Sequence, residues 1–146
     1  MNEIFIFKGK REDTGAWVKG YLVVTDDGYY IIKDAYLSTI ELDCYNRRTV
    51  IDGNFYEVDP KTVGQLRYKK DGMELYDGDI VYMKYKALTQ VFEIKGVVMY
   101  SLSKGQTVVC EQDSFLSRCV PLHVRKIEIK KLGNKFDNPE LLAGEK

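Results

Sequence analysis

The stretch Val58–Val81, VDPKTVGQLRYKKDGMELYDGDIV, decides the fold of this chain because turn signals divide it into short apolar runs. It contains one proline and three glycines, and two of the glycines follow an aspartate, at Asp71-Gly72 and Asp77-Gly78. Asp-Gly pairs favour tight turns, since glycine adopts positive φ without steric cost. Runs of this length between turn signals are typical of closely spaced β-strands.

The clearest hairpin signal lies upstream, where TDDG separates the apolar runs Gly15–Val24 and Tyr29–Asp34. Gly28 is predicted to supply the positive φ of that turn, so valine at Gly28 or Gly78 should destabilise the fold by more than about 1 kcal/mol. Ala35–Asn46 fits either a strand or an irregular loop. The other predicted strands are Glu3–Phe7, a pair Arg47–Asp52 and Gly53–Asp59 turning at Asp52-Gly53, and then Gly78–Ala87, Gln90–Leu102, Gln106–Gln112 and His123–Leu132.

Two short helical turns are predicted, near residues 60–64 and 138–143. Asp59 is placed to cap a turn that begins at Pro60 and ends at Gly64, and Asn138 or Asp137 precedes Pro139 in the same way. The fold class predicted is mainly β, a small barrel or sandwich of antiparallel strands with little helix. No linker or low-complexity tract divides the chain, which predicts a single domain over residues 1–146.

Composition narrows the function classes. Twenty-two basic residues balance 22 acidic ones, which argues against a surface built throughout to attract polyanions. No apolar run reaches the roughly 18–20 residues of a membrane span, and the start lacks a signal-peptide pattern. A cytoplasmic protein without a membrane partner is expected. A homo-oligomer stays open.

Three cysteines, Cys44, Cys110 and Cys119, are an odd number in a chain expected to be cytoplasmic. They are interpreted as free, mostly structural thiols. Cys110, Cys119 and His123 form an alternative zinc set, but eight residues separate the two cysteines, whereas zinc knuckles are tighter. Neither a metal nor a cofactor is expected.

Catalysis finds little support in the residues. Carboxylates in the opening stretch could bind a divalent cation or transfer protons, yet aspartate before glycine is the usual residue of a turn. Neither a phosphate-binding loop nor a nucleophile with a paired base is present in the sequence, and no catalytic residue is assigned. The acids considered are Asp59, Asp71, Glu74, Asp77 and Asp79.

Basic clusters leave nucleic-acid binding open, because small β-barrels bind single strands with basic grooves and aromatic stacking faces. The alternative is solvated strand faces, since VRKIEIKK alternates charged and apolar residues. The clusters comprise Lys8, Lys10 and Arg11; Arg67, Lys69 and Lys70; and Arg125, Lys126, Lys130, Lys131 and Lys135, with Arg67, Lys69, Lys70, Lys130 and Lys131 as the main candidates. The candidate stacking residues are Trp17, Tyr68, Tyr82 and Tyr85.

Two apolar features remain. Trp17 and Val18 point to opposite faces of one strand, and the larger Trp17 is favoured as the inward residue. The C-terminal NPELL either tucks the chain end onto the fold or docks on another protein through Pro139, Leu141 and Leu142, and a tucked end is favoured.

Three stretches give the chain a resemblance to the YopX family of phage and prophage proteins. KGKREDTGAWVKGYLV (Lys8–Val23) resembles the family's opening, VDPKTVGQ with DGMELYDGDIV its centre, and LGNKFDNPELL (Leu132–Leu142) its end. The Thr-Gly pair that often follows Val-Gly-Gln in the family is replaced here by LRYKKDG. The structural motif residues implied are Trp17, Gly20, Asp59, Pro60, Gly64, Gly78 and Asp79.

The resemblance implies a mainly β protein of phage origin without an established molecular activity. With no catalytic constellation in the sequence, the favoured function is a non-enzymatic accessory module that binds a host or phage protein. The alternative is a nucleic-acid-binding protein that uses the basic and tyrosine clusters.

Overall fold

The computed structural model describes residues 6–32 and 55–142. The mainly β class with little helix is confirmed, with one sheet curled into a half-barrel and a second sheet. The segments Arg47–Asp52 and Ala35–Asn46, for which strand or loop predictions were made, lie outside the described residues. The strands are β1 (Ile6–Lys10), β2 (Trp17–Thr25), β3 (Gly28–Ile32), β4 (Phe55–Val58), β5 (Gly64–Lys70), β6 (Met73–Tyr76), β7 (Asp79–Ala87), β8 (Gln90–Ser101), β9 (Gln106–Cys110), β10 (Cys119–Pro121) and β11 (Lys126–Asn134), and 3-10 turns span Pro60–Thr62 and Pro139–Leu141.

The chain divides into two compact units, Met1–Leu66 and Arg67–Lys146. In the first unit the strands are antiparallel in the order β4-β3-β2-β1, and the first residues of β5 pair with β1. The predicted hairpin is confirmed, with Thr25 opposite Gly28 and Gly28 at φ 153°. The single-domain prediction over residues 1–146 stays a prediction.

The inward residue of β2 is Val18, so the prediction for Trp17 is wrong. Val18 is 9% exposed and packs with Ile31 and Val58, whereas Trp17 is half buried outside this core cluster. Neighbouring residues of a strand face opposite ways, so the burial of one excludes the other. On the Val18 face, Gly20 lies opposite Phe7 in the register of β1 and β2.

Two family stretches meet in the first unit. The Asp59 backbone N–H donates to the Lys10 carbonyl (2.8 Å), and the Lys10 N–H donates to the Thr62 hydroxyl (2.9 Å). The Asp59 carboxylate accepts from the Lys61 N–H at 3.0 Å, which confirms the predicted cap of a turn beginning at Pro60. The turn ends at Thr62, two residues earlier than predicted, because Gly64 pairs with β1 opposite Lys8.

The second unit contains a five-stranded sheet in the order β10-β9-β8-β7-β11. The turn between β5 and β6 is the predicted Asp71-Gly72, with φ of 53° and 83°. One apolar cluster fills the core of this unit, and alternate residues of β7 face it. Its buried members are Leu75, Val81, Met83, Tyr85, Ile94, Val98, Val109, Val120 and Leu122. No helix among residues 6–32 and 55–142 has the length and apolar character to cross a bilayer.

Candidate protein-docking site

The central and C-terminal family stretches join at Gly78. Its carbonyl accepts from the Lys135 backbone N–H (2.9 Å), and its N–H donates to the Val98 carbonyl (2.9 Å). Gly78 has φ 94°, and a Cβ at this position would lie 3.0 Å from the Phe136 ring. Only glycine combines this backbone conformation with so close a neighbour, which explains the second Asp-Gly pair.

Asn134 organises the chain that follows this junction. Its side-chain carbonyl oxygen accepts from the backbone N–H groups of Phe136 and Asp137, each at 2.9 Å. The Asn138 side-chain carbonyl oxygen in turn accepts from the Asn134 N–H at 3.2 Å. Asparagine suits both positions because its short side chain can hydrogen-bond to nearby backbone groups. The GNKFDN segment is therefore a hydrogen-bonded structural turn.

Gly78→Ala is expected to lower the free energy of unfolding by about 1 kcal/mol more than Gly72→Ala. Both glycines have positive φ, so each substitution introduces backbone strain of about 1–3 kcal/mol. Only at Gly78 does the added methyl group meet a ring, since a Cβ at Gly72 has no neighbour within 4 Å among the described residues. Urea unfolding measures both variants, and equal losses would contradict the contact with Phe136.

The acids of the central stretch have structural partners. Asp77 accepts two bonds from the Arg67 guanidinium (2.8 and 3.1 Å), and Glu74 accepts from the Tyr76 hydroxyl (3.0 Å). Asp79 is fully buried, and its carboxylate accepts from the Tyr76 backbone N–H at 2.7 Å. No cluster of three metal-binding side chains occurs within residues 6–32 and 55–142. The interpretation of Asp71 and Asp77 as turn residues is confirmed.

Cys110 and Cys119 form a disulfide, so the expectation of free thiols is wrong for both. The two residues lie directly opposite each other on β9 and β10, with Cα atoms 4.1 Å apart. Register between strands brings them together, which the spacing in the sequence does not reveal. The bond also removes both sulfurs from the alternative zinc set with His123, an exposed residue. Cys44 lies outside the described residues.

The disulfide closes a loop of residues 111–118, here called the stapled loop, which is ordered by its own polar groups. The Ser114 hydroxyl accepts from the Leu116 N–H (3.0 Å), and the Ser117 hydroxyl accepts from the Gln112 N–H (3.1 Å). At its base the Arg118 guanidinium contacts Glu111 at 3.1 Å. The loop nevertheless exposes two adjacent apolar residues, Phe115 at 52% and Leu116 at 98%.

The turn between β8 and β9 presents another exposed apolar residue. Leu102 is 89% exposed, although the turn that carries it is fixed by backbone and hydroxyl bonds. The Gly105 N–H donates to the Ser101 carbonyl (2.7 Å), and the Ser101 hydroxyl accepts from the Lys104 N–H (3.3 Å). Gly105 has φ 63°, which suits glycine at the end of the turn.

Between this turn and the stapled loop lies a cavity of about 370 Å³, here called the loop groove. Its volume falls within the usual range for ligand pockets, roughly 300–1,000 Å³. Leu102 of the turn and Phe115 of the stapled loop both line it, and Leu116 lies next to Phe115 in the sequence. The lining residues are Tyr100, Ser101, Leu102, Ser103, Lys104, Val108, Phe115 and Cys119.

Residues of two family stretches support the walls of the loop groove, Asp77 through its contact with Arg67 and Lys135 through its contact with Asp113. The Arg67 guanidinium, held by Asp77, lies over the ring of Tyr100 at 4.5 Å from its centroid. From the C-terminal stretch, the Lys135 ammonium contacts the Asp113 carboxylate at 3.3 Å, in the stapled loop. The central stretch thus orients one wall and the C-terminal stretch holds the other.

The basic candidates for nucleic-acid binding are largely paired with acids. Besides Arg67 with Asp77, Lys69 contacts Glu74 at 3.7 Å, and Lys131 contacts Asp79 at 3.4 Å. Lys130 contacts Glu128 at 2.9 Å. Lys70 differs because it acts on another cation, Lys126. The pKa of the Lys126 ammonium is lowered mainly by burial and secondly by the positive charge of Lys70. Like charges meet there, so this spot favours an anionic ligand more than the paired residues do.

The candidate stacking aromatics have neighbours of their own. Trp17 has the Lys8 and Lys10 ammonium groups over its ring, 4.7 and 5.4 Å from the centroid. Tyr85 is 7% exposed and stacks on Phe92. The Tyr68 ring lies beneath the Lys126 ammonium at 5.2 Å from its centroid. Lys8 and Lys126 therefore stand where a base would have to stack on Trp17 or Tyr68.

The NPELL end forms the second helical turn, from Pro139 to Leu141. Pro139 is exposed, whereas Leu141 and Leu142 are half buried. Leu142 lines a polar cavity of about 360 Å³ with Glu93 and other residues of the five-stranded sheet. In this cavity, partial desolvation and then hydrogen bonding to Glu93 raise the pKa of Tyr82. The half-buried leucines fit the favoured tucked end, and docking through them stays a prediction.

The fold and the loop groove define a small, mainly β protein with an ordered, exposed apolar site. The chain belongs to the YopX family, whose model, described as YopX protein, matches residues 16–143. The resemblance carried by the three quoted stretches is therefore confirmed over most of the chain. Neither a curated protein nor a solved structure matched the chain.

Proposed function

We propose that this protein is a non-enzymatic accessory module of a phage or prophage that binds a host or phage protein through the loop groove. The observation that carries the proposal is the exposure of Leu102 and Phe115 in the lining of an ordered cavity, with the exposed Leu116 next to Phe115 in the sequence. Exposed apolar groups on a rigid frame are typical of binding sites, because their burial is favourable and little order must be gained. Aromatic residues such as Phe115 are enriched in the buried centres of interfaces.

The charge pairs described above also support a protein partner over a nucleic acid. A nucleic-acid groove needs cations that can replace the counterions of phosphates. Arg67, Lys69 and Lys131 each contact a carboxylate in the second unit, so phosphate would have to displace that partner. The nucleic-acid alternative retains Lys70 beside Lys126 as its best location.

The location of this activity is part of the proposal. We place the protein in the bacterial cytoplasm, as the sequence predicts, although the Cys110–Cys119 disulfide weighs against it, because disulfides are rare in cytosolic proteins. Trapping thiols with an alkylating agent in intact cells that express the protein measures the state of both cysteines. A disulfide present only after lysis would reconcile the two observations, whereas a stable bond in the cells would favour an oxidising compartment.

Leu102→Asp is expected to abolish capture of the partner without affecting folding, because Leu102 lines the loop groove and is 89% exposed. Tagged wild-type and variant proteins are incubated with bacterial lysate, half of it treated with nuclease, and captured proteins are identified by mass spectrometry. Leu88→Asp is the matched control, since Leu88 is 97% exposed at the tip of the hairpin of β7 and β8.

The proposal is supported by a protein that is still captured after nuclease treatment, that binds wild type and Leu88→Asp equally, and whose capture falls at least tenfold with Leu102→Asp. Binding to all three proteins alike would refute the loop groove as the binding site. Material lost on nuclease treatment would favour the nucleic-acid alternative, and Lys70→Glu would then be tested for weaker binding.

A further inference from the structure

Within the proposed function, we infer that the loop groove recognises a partner segment in which a bulky apolar side chain lies close to a carboxylate. The apolar side chain would enter between Leu102 and Phe115, and the carboxylate would pair with Lys104 at the rim. This inference names the chemistry of the partner and rests on the proposed function. It draws on the apolar lining and on the charge balance around the loop groove.

The apolar part follows from the lining. Leu102, Val108 and Phe115 supply aliphatic and aromatic surface, and the Tyr100 ring is held in place by Arg67. A cavity of about 370 Å³ lies near the lower end of the range for ligand pockets, which suits an anchor of one or a few side chains. Internal hydrogen bonds fix both of its edges. Few groups therefore lose freedom when a partner binds, and less of the free energy gained by burying apolar surface is offset.

The acidic part follows from charge complementarity. Most charged groups around the loop groove have opposite partners: Asp113 contacts Lys135, Glu111 contacts Arg118, and Arg67 contacts Asp77. Lys104 lines the loop groove, is exposed, and makes no ion pair among residues 6–32 and 55–142. The rim therefore has an unbalanced positive charge. Complementary charge at a rim selects partners and speeds association.

A random peptide library displayed on phage tests the inference directly. Selection uses the full-length wild-type protein and removes peptides that also bind Leu102→Asp. Enriched sequences are expected to contain Leu, Phe, Met or Trp with Asp or Glu within two or three positions. Enrichment of apolar anchors without nearby acids would overturn the inference.

Charge reversal supplies a quantitative readout on one enriched peptide. Lys104→Glu should weaken its binding about threefold to tenfold at low salt, as for a rim ion pair replaced by a repulsion, and the effect should shrink at high salt. Lys86→Glu, a reversal at an exposed lysine on β7, should change binding less than twofold. A peptide with its acid changed to lysine should recover affinity for Lys104→Glu.

The two proposals fail in different ways. If Lys104→Glu leaves the affinity unchanged while Leu102→Asp still removes the captured protein, the acidic requirement is wrong and the proposed function stands. If neither a lysate protein nor a peptide depends on Leu102, the loop groove is not a docking site and both proposals are wrong.

Discussion

Gly96→Ala is expected to lower the free energy of unfolding by about 3 kcal/mol or more, among the largest effects of any single methyl group in this protein. A Cβ at Gly96 would lie 2.7 Å from the carbonyl carbon of Cys110 and 3.0 Å from the backbone nitrogen of Glu111. These neighbours are main-chain atoms of β9 and of the stapled loop, so no side chain can rotate away. Overpacking in a fixed environment usually costs about 1–3 kcal/mol, and a backbone clash falls at the upper end or beyond.

The measurement is urea unfolding of wild type and variant, with Gly105→Ala as the control. Gly105 has positive φ, yet the nearest atom to a Cβ there is 4.0 Å away, so backbone strain alone should apply. If Gly96→Ala lowers the free energy of unfolding no more than Gly105→Ala does, the main chain at Cys110 and Glu111 does not lie this close to Gly96. Partner capture should fall as well, because the added methyl group would push β9 away from Gly96, and β9 leads directly into the stapled loop.

Asp79→Leu is the second large effect, with an expected loss of about 3 kcal/mol. Asp79 is fully buried, and its carboxylate accepts the Tyr76 backbone N–H at 2.7 Å. Leucine leaves that buried donor without an acceptor, at a cost of about 1–3 kcal/mol, and its shape fits poorly in a site formed for a carboxylate. Asp79→Asn keeps a side-chain oxygen that can accept the same bond, so it should lose less.

Lys131→Met measures the contribution of the ion pair with Asp79 separately from that of the Tyr76 hydrogen bond. The Lys131 ammonium lies 3.4 Å from the Asp79 carboxylate but is 39% exposed, so its removal should cost less than about 1 kcal/mol. In thermal and urea unfolding of the three variants, Asp79→Leu should lose more stability than Asp79→Asn. If Lys131→Met were as harmful as Asp79→Leu, the ion pair would be the main interaction and the role given to Tyr76 would be wrong.

The sequence alone determined the parts of this protein that depend on near neighbours. The Asp71-Gly72 turn, the hairpin closed at Gly28 and the cap of Asp59 on Pro60–Thr62 were all predicted. Each follows from φ preferences and hydrogen bonds within a few residues, which tertiary contacts seldom override at glycine and proline. The three quoted stretches also identified the family.

The tertiary structure decided everything that depends on pairing between distant residues. Period-two alternation placed Trp17 and Val18 on opposite faces, but only packing against Ile31 made Val18 the buried one. Strand register joined Cys110 to Cys119, and folding brought Arg67 over Tyr100. The adjacent Phe-Leu pair between two cysteines was the one sequence signal for the stapled loop. Its exposure became evident only in the structure, because burial depends on the neighbours that the fold provides.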